Sequence, residues 1–290
     1  MNNPQQVVMY GPSGGNDAAW IQQKLDLLAA RGGGGTLLLD TGTFTLNSTV
    51  KILANTNIVG QGPAATKFIS NVAGPAFQFI WEFSSLRNCS VVVASTDRQA
   101  QGVLFGNPQL APEDGVLQRN VVDRVQITTL RPPALAGQVG IMLRSSNPGY
   151  GVYWNRIIDC DLHYFDRGVV LETTGPDHGT TPPSPNTNVN WIAGVFFYGC
   201  NTAIDIANGA GNQILGVSAD YQVGGVGVRI TPPSARNQVI PAHFELNPLD
   251  STGLSIEGSN GNVVVMEDEC PKLVLKGSDN WVNRNGAPAS

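Results

Sequence analysis

Asparagines that lead short apolar runs at near-constant spacing constrain the fold of this chain more than any other feature. Asn190, Asn212, Asn237 and Asn262 stand 22, 25 and 25 residues apart, and each opens a strand-like run such as Gln213-Ile214-Leu215 or Val263-Val264-Val265. A second run follows in every unit: Ala203-Ile204-Asp205-Ile206, Gly227-Val228-Arg229-Ile230, Gly253-Leu254-Ser255-Ile256 and Lys272-Leu273-Val274-Leu275. Periods of this length are the mark of a solenoid. One such unit cannot bury its own apolar face, whereas coils stacked at the ~4.8 Å spacing of paired strands share a continuous core. Asparagines repeated at one turn are then expected to hydrogen-bond from coil to coil. Asn120, Asn155 and Asn190 are 35 residues apart, so these two coils carry extra chain. The Pro-containing segments 129–137 and 175–188 supply it, and insertions of this kind gather on one face of a solenoid, often the binding face.

The start of the chain has a different pattern. Asn16 or Asp17 can cap a helix in which Ala18, Ile21, Leu25 and Leu28 form one apolar stripe. Gly32 to Gly35 stop it, because glycine takes the positive φ that a helix C-terminus and a sharp turn require. Two short strands at 36–40 and 43–47, split by Thr41-Gly42, and the step Ile58-Val59-Gly60-Gln61-Gly62 follow. Over residues 17–62 this resembles the N-terminal cap of right-handed parallel β-helix proteins of the pectate-lyase-like superfamily, which includes phage tail spike and minor tail proteins. Many relatives carry Pro where this chain has Asp40. The resemblance implies an all-β fold, a right-handed parallel β-helix with an N-terminal capping α-helix. The whole chain, 1–290, is expected to be one domain, with the cap helix at 16–31 and coils over 36–285. Trp281 is expected to cover the last coil, and uncovered ladder edges favour self-association.

Composition narrows the partners. Charged residues make up 13% of the chain, about half the usual ~25% of soluble proteins, and the net charge is −5 without a basic stripe, so nucleic acid is not an expected partner. Cys89, Cys160, Cys200 and Cys270 are too far apart for a zinc site and read as buried thiols, with disulfides between coils the competing reading. The first fifteen residues show neither a signal peptide nor a membrane span. No cofactor or metal is expected; Glu267-Asp268-Glu269 reads as a solvated turn, with a weak calcium site the competing reading.

The densest polar cluster runs from Asp159 to Arg167. If Asp159 to His163 is one strand, Asp159, Asp161 and His163 share a face while Cys160 and Leu162 point into the core. Glycoside hydrolysis uses two carboxyls about 5–9.5 Å apart, and same-face strand neighbours lie roughly 6.6–7 Å apart. Asp159 and Asp161 are therefore the candidate catalytic pair, and His178 can reach over them from the insert. A solvated strand face is the competing reading for these groups. Tyr150, Tyr153, Trp154 and Trp191 offer flat faces for sugar rings, with Arg167 and Asp177 as polar contacts; packing at the coil edge competes. Glu172, Asp205, Asp220 and Glu245 form a further acidic stripe, and His243 lies near it in sequence.

The resemblance also implies motifs to check. Of the Asn-Thr-Asp, Asp-Asp, Gly-His-Gly and Arg-Ile-Lys set of the polygalacturonase-like hydrolases, only Asp177-His178-Gly179 comes near. Arg156 and Arg167 are candidates for the Arg base of a pectate lyase, without the family's acidic constellation. The expected function is a virion β-helix, of tail spike, fibre or minor tail type, that meets cell-surface polysaccharide as a homotrimer, in a virion or extracellular setting. A polysaccharide lyase or glycoside hydrolase of the same superfamily is the alternative, and a purely structural solenoid is the third reading.

Overall fold

The computed structural model describes residues 5–30, 32–106, 116–130, 135–145, 151–174, 186–220, 225–245, 251–266, 272–284 and 287–288. Helix α1 (Asp17–Ala30) forms as its pattern predicts, with Ala18, Ile21, Leu25 and Leu28 at most 1% exposed. Asn16 is the cap: its Oδ1 accepts the N–H groups of Ala18 at 3.3 Å and Asn47 at 3.2 Å. Asp17 has another task. Buried at the first helical turn, it accepts hydrogen bonds from Ser13 and from the Thr45 N–H, which fastens the helix to the strand Gly42–Leu46. The chain leaves the helix through Gly34 at φ 68°, where any Cβ would collide with the backbone of Asn55. Among the described residues no helix is long and apolar enough to cross a membrane.

Beyond the helix the chain is a right-handed parallel β-helix. A compact coil shows the plan. After Asn190 come Trp191–Ala193 and Phe196–Tyr198 in a sixteen-stranded sheet, Thr202–Ile206 in a nine-stranded sheet and Gly209–Ala210 in a four-stranded sheet, and Asn212 begins the next coil. Register places like on like. Val122, Ile157, Ile192, Ile214, Val239 and Val264 stack as one buried column inside the large sheet. Val103, Ile141, Val169, Ile204, Val228 and Leu254 do the same inside the nine-stranded sheet.

The asparagine ladder is present. Asn155, Asn190, Asn212, Asn237 and Asn262 each offer Oδ1 to the backbone N–H and the Nδ2 group of the preceding ladder asparagine, at 3.0–3.1 Å. The second Nδ2 hydrogen goes to a carbonyl of the four-stranded sheet or its neighbours, such as Val152 for Asn190. Ser84 begins the ladder by donating its N–H to Asn120, and Asn280 ends it. Only an amide side chain carries both the acceptor and the two donors this turn needs. The residue before each rung turns the corner in the left-handed region: Arg119, Trp154, Val189, Gly211, Arg236 and Gly261 have φ between 49° and 66°.

The glycines that precede the second run are there for clearance. A Cβ on Gly168 would lie 2.6 Å from the Ala203 carbonyl oxygen and 2.5 Å from the Phe197 ring, and Gly140 and Gly227 meet the next coil's carbonyl oxygens at 2.7 and 2.6 Å. Cys89, Cys160 and Cys200 are buried free thiols, and burial pushes Cys160 and Cys200 up to about 12, so they are inert at neutral pH. Cys270 lies outside the described residues.

The extra chain of the two long coils leaves after Thr129 and after Thr173, at the ends of the strands Val121–Thr129 and Arg167–Thr173. Residues 131–134 and 175–185 within those inserts lie outside the described residues. Trp281 differs from expectation: it sits 48% exposed on the outer face, and Val282 is the residue that points into the last coil. Strand alternation decides this, since Val263 and Val264 pair in register with Trp281 and Val282.

Candidate functional site

The corner column and the first strand of the large sheet enclose a groove of about 620 Å³. Its lining among the described residues is Arg119, Val121, Trp154, Arg156, Val189, Trp191, Gly211 and Gln213, with no acidic residue among them. Register builds it: Val121, Arg156, Trp191 and Gln213 are successive neighbours on four coils, while Arg119, Trp154, Val189 and Gly211 follow one another around the corner. The left-handed turn at Trp154 pushes its indole outward, where it is 52% exposed. The Arg156 guanidinium lies 5.3 Å from the Trp191 ring, and Arg119 lies 5.4 Å from Phe83 at the groove's end. Tyr153 supports Trp154 edge-on at 6.2 Å. Flat apolar faces beside guanidinium groups suit a sugar chain bearing anionic substituents.

The expected catalytic pair is arranged differently. The strand is only Asp161–His163, and Asp159 lies in a left-handed bend at φ 49°, with its carboxylate beside Gly194 of the next coil. The bend breaks the alternation that was expected to put Asp159 and Asp161 on one strand face. Asn88, Arg124, Asp159, Gly194 and Gly216 form a second corner column, each with φ between 49° and 62°. Asp161 and His163 do share the outer side of their strand, with Cys160 and Leu162 inside. Tyr150, Asp177 and His178 lie outside the described residues.

A denser set of ionisable groups lies just beyond. Register aligns Thr128, His163, Tyr198, Asp220 and Glu245 in one outer row, with Phe196, Ser218 and His243 in the row beside it. Partial burial holds the His163 imidazole below its ordinary value, against the opposing pull of Asp161, and its Nε2 is buried with no hydrogen-bond partner. Desolvation and the neighbouring Glu245 raise Asp220 above the usual carboxylate range, against His243 and Ser218. His243 Nε2 lies 3.2 Å from Glu245 Oε1. Adjacent coils put Asp220 and Glu245 at the ~4.8 Å strand spacing, and the row brings an imidazole with a lowered pKa and a carboxyl with a raised one onto one surface. Among the described residues no cluster of three metal-ligating side chains exists.

Arg167 belongs to neither region. It lies on the nine-stranded sheet, paired with Asp205 at 3.4 Å, and lines a separate cavity of about 720 Å³ with Arg98, Gln101 and Arg144. Trp154 and Arg167 thus face different surfaces.

No protein-family model and no curated protein matches this chain. Solved structures do. An alginate lyase from Paenibacillus sp. is 13% identical, with 98% of this chain and 99% of that one aligned at a TM-score of 0.59. The PL6 family alginate lyase AlyGC is 12% identical over 90% of this chain and 38% of its own, at 0.53. The Agl-KA catalytic domain is 13% identical over 93% of this chain and 55% of its own, at 0.52. The chain shares the right-handed parallel β-helix fold of these structures.

Within this β-helix the groove was partly legible. Trp154 and Trp191 stood out as exposed aromatics, whereas Arg119, Val189 and Gln213 did not, since they come together only when coils stack. Asp220 and Glu245 were legible only as half of an acidic stripe with Glu172 and Asp205, which lie instead on the nine-stranded sheet, paired with Arg144 and with Arg167 and Arg229. Equal spacing from the ladder asparagines carried the missing signal, because Asp220 follows Asn212 by the same eight positions as Glu245 follows Asn237 and Tyr198 follows Asn190.

Proposed function

We propose that this β-helix binds polysaccharide along the groove of Trp154, Trp191, Arg119 and Arg156, with a preference for anionic chains. The observation that carries this reading is the pair of exposed indoles on adjacent coils, flanked by guanidinium groups and, among the described residues, free of acidic lining. The setting we propose is a virion tail spike, fibre or minor tail protein that meets cell-surface glycan as a homotrimer. A second reading, cleavage of the bound glycan as a lyase or hydrolase, draws on the row of His163, Tyr198, Asp220 and Glu245, where an imidazole whose pKa burial lowers and a carboxyl whose pKa desolvation raises lie on one face.

One experiment separates these readings. The protein is incubated with a panel of uronate-rich and bacterial surface polysaccharides while bound glycan, reducing ends and unsaturated-product absorbance are followed. Retention of an anionic glycan without new ends or absorbance supports binding alone. Product release that Asp220→Asn lowers by about two orders of magnitude, the scale of lost general acid–base catalysis, establishes the enzymatic reading. Absence of retention for every glycan sinks the groove assignment, and a solution mass of one chain at high concentration sinks the trimer.

A further inference from the structure

The cavity on the nine-stranded sheet has features that the groove reading does not use. We propose that it is a second binding site, for a small ligand carrying an oxyanion group, carboxylate or phosphate, beside a hydroxyl or amide donor and an apolar face. Arg98, Gln101, Arg144 and Arg167 surround it, Leu104 and Met142 form an apolar wall, and among the described residues no Asp or Glu lines it. Its volume of about 720 Å³ falls in the range of small-molecule sites.

Register explains why these groups converge. Pro75, Gln101, Val139 and Arg167 follow one another across four coils, and Gln78, Leu104, Met142 and Val170 form the parallel row. Leu104, Val139, Met142 and Val170 make an apolar cluster of their own, apart from the main core. Arg144 is held through Nε by Glu172, and Arg167 through Nη1 by Asp205, which also pairs with Arg229. A guanidinium has five N–H donors, so each of these pairs fixes the side chain without using up the fork. Arg98 makes no ion pair among the described residues and is exposed at the rim.

Gln101 points to a ligand independently of the charges. It is 8% exposed, and its Oε1 is buried with no hydrogen-bond partner. A desolvated acceptor without a donor is costly, and native structures rarely keep one without a role. A ligand hydroxyl or amide beside the oxyanion supplies that donor. Three guanidiniums for the anion, one acceptor for the donor and a thioether and leucine wall for a ring face together describe a ligand of about one sugar ring. This site shares no residue with the groove, so it stands or falls separately from the polysaccharide reading.

The test is calorimetric titration of the full chain with glucuronate, glucose 1-phosphate and glucose. At least one anion is expected to bind, with glucose weaker by about tenfold or more. Arg98→Ala is expected to weaken the anion by about tenfold, as the loss of a charge-assisted contact predicts, and Gln101→Leu to weaken it as well. Trp281→Ala, at an exposed residue that lines neither the cavity nor the groove, leaves this binding unchanged. Binding of glucuronate alone identifies a carboxylate ligand, and of glucose 1-phosphate alone a phosphate. The proposal is overturned if neither anion binds at about 10 mM, a Kd too weak for a formed site, or if glucose binds equally well. Unchanged affinity in Arg98→Ala overturns it too, and because Arg98 is exposed that variant keeps the test valid should Gln101→Leu fail to fold.

Discussion

Replacing Asn190 with Ala is expected to lower the unfolding free energy by about 3 to 5 kcal/mol, because one truncation strands several buried groups at about 1–3 kcal/mol each. The Asn190 side chain accepts from the Asn155 N–H and Nδ2 and donates to the Val152 carbonyl and to Asn212 Oδ1, and it is 1% exposed. Removing the amide leaves those partners in a dry turn without water to replace it. Urea unfolding followed by circular dichroism measures the loss. Because a solenoid is held by nearest-neighbour terms, a break in mid-ladder is also expected to reduce the m-value as the two halves unfold separately. Asn201→Ala is the control: Asn201 is exposed and donates to Asp166, and its loss is expected to cost less than about 0.5 kcal/mol.

Asn190→Asp sharpens the same test through its pH dependence. An aspartate has no N–H groups for the Val152 carbonyl and Asn212 Oδ1, and its charge is buried, so its folded-state pKa rises above the unfolded value of about 3.9. The native state then holds a proton that the unfolded state has released, and stability falls as pH rises past that value. A variant equally stable at all pH values would contradict the role given to the ladder.

Trp191→Ala is expected to weaken glycan binding by about 30-fold, near 2 kcal/mol, the scale on which a central aromatic contact is lost. Two effects add. The indole face is removed, and Arg156 loses the ring that holds its guanidinium 5.3 Å away, a contact of about 0.5–1 kcal/mol at an exposed site. Stability is expected to stay unchanged, since Trp191 is 40% exposed and Ile192 carries the core contact of that strand. Calorimetry with the glycan retained in the panel gives the affinity, and thermal unfolding gives the control. Wild-type affinity should also fall as salt is raised, because Arg119 and Arg156 act at a solvated surface where ions screen them. Undiminished affinity in the variant would place the glycan elsewhere.

Much of the scaffold was legible because its causes are local and periodic. The helix stripe from Ala18 to Leu28, the Gly32 to Gly35 stop and the asparagine spacing each follow from hydrogen-bond or steric rules that act within a turn or between equivalent turns. Asp159 shows where such reading ends. Its left-handed bend belongs to a corner column shared with Asn88, Arg124 and Gly194, and what marks that corner is a shared offset of four residues from Asn155, Asn120 and Asn190 rather than the alternation of the run Asp159 to His163. Trp281 fails in the same way: side-chain parity at the last strand depends on the coil beneath it.

Sequence by itself determined that the chain winds as a capped parallel β-helix and where its rungs lie, and it left Trp154 and Trp191 as candidates for sugar contact with coil-edge packing as the competing reading. Tertiary structure alone decided which polar groups share a surface. Groups 22 to 36 residues apart become neighbours only through coil register, and inserts of unequal length hide that register in the linear chain. For this reason the same stacking joins Arg156 to Trp191 and His163 to Tyr198 and Asp220, and carries Arg167 away to a different face.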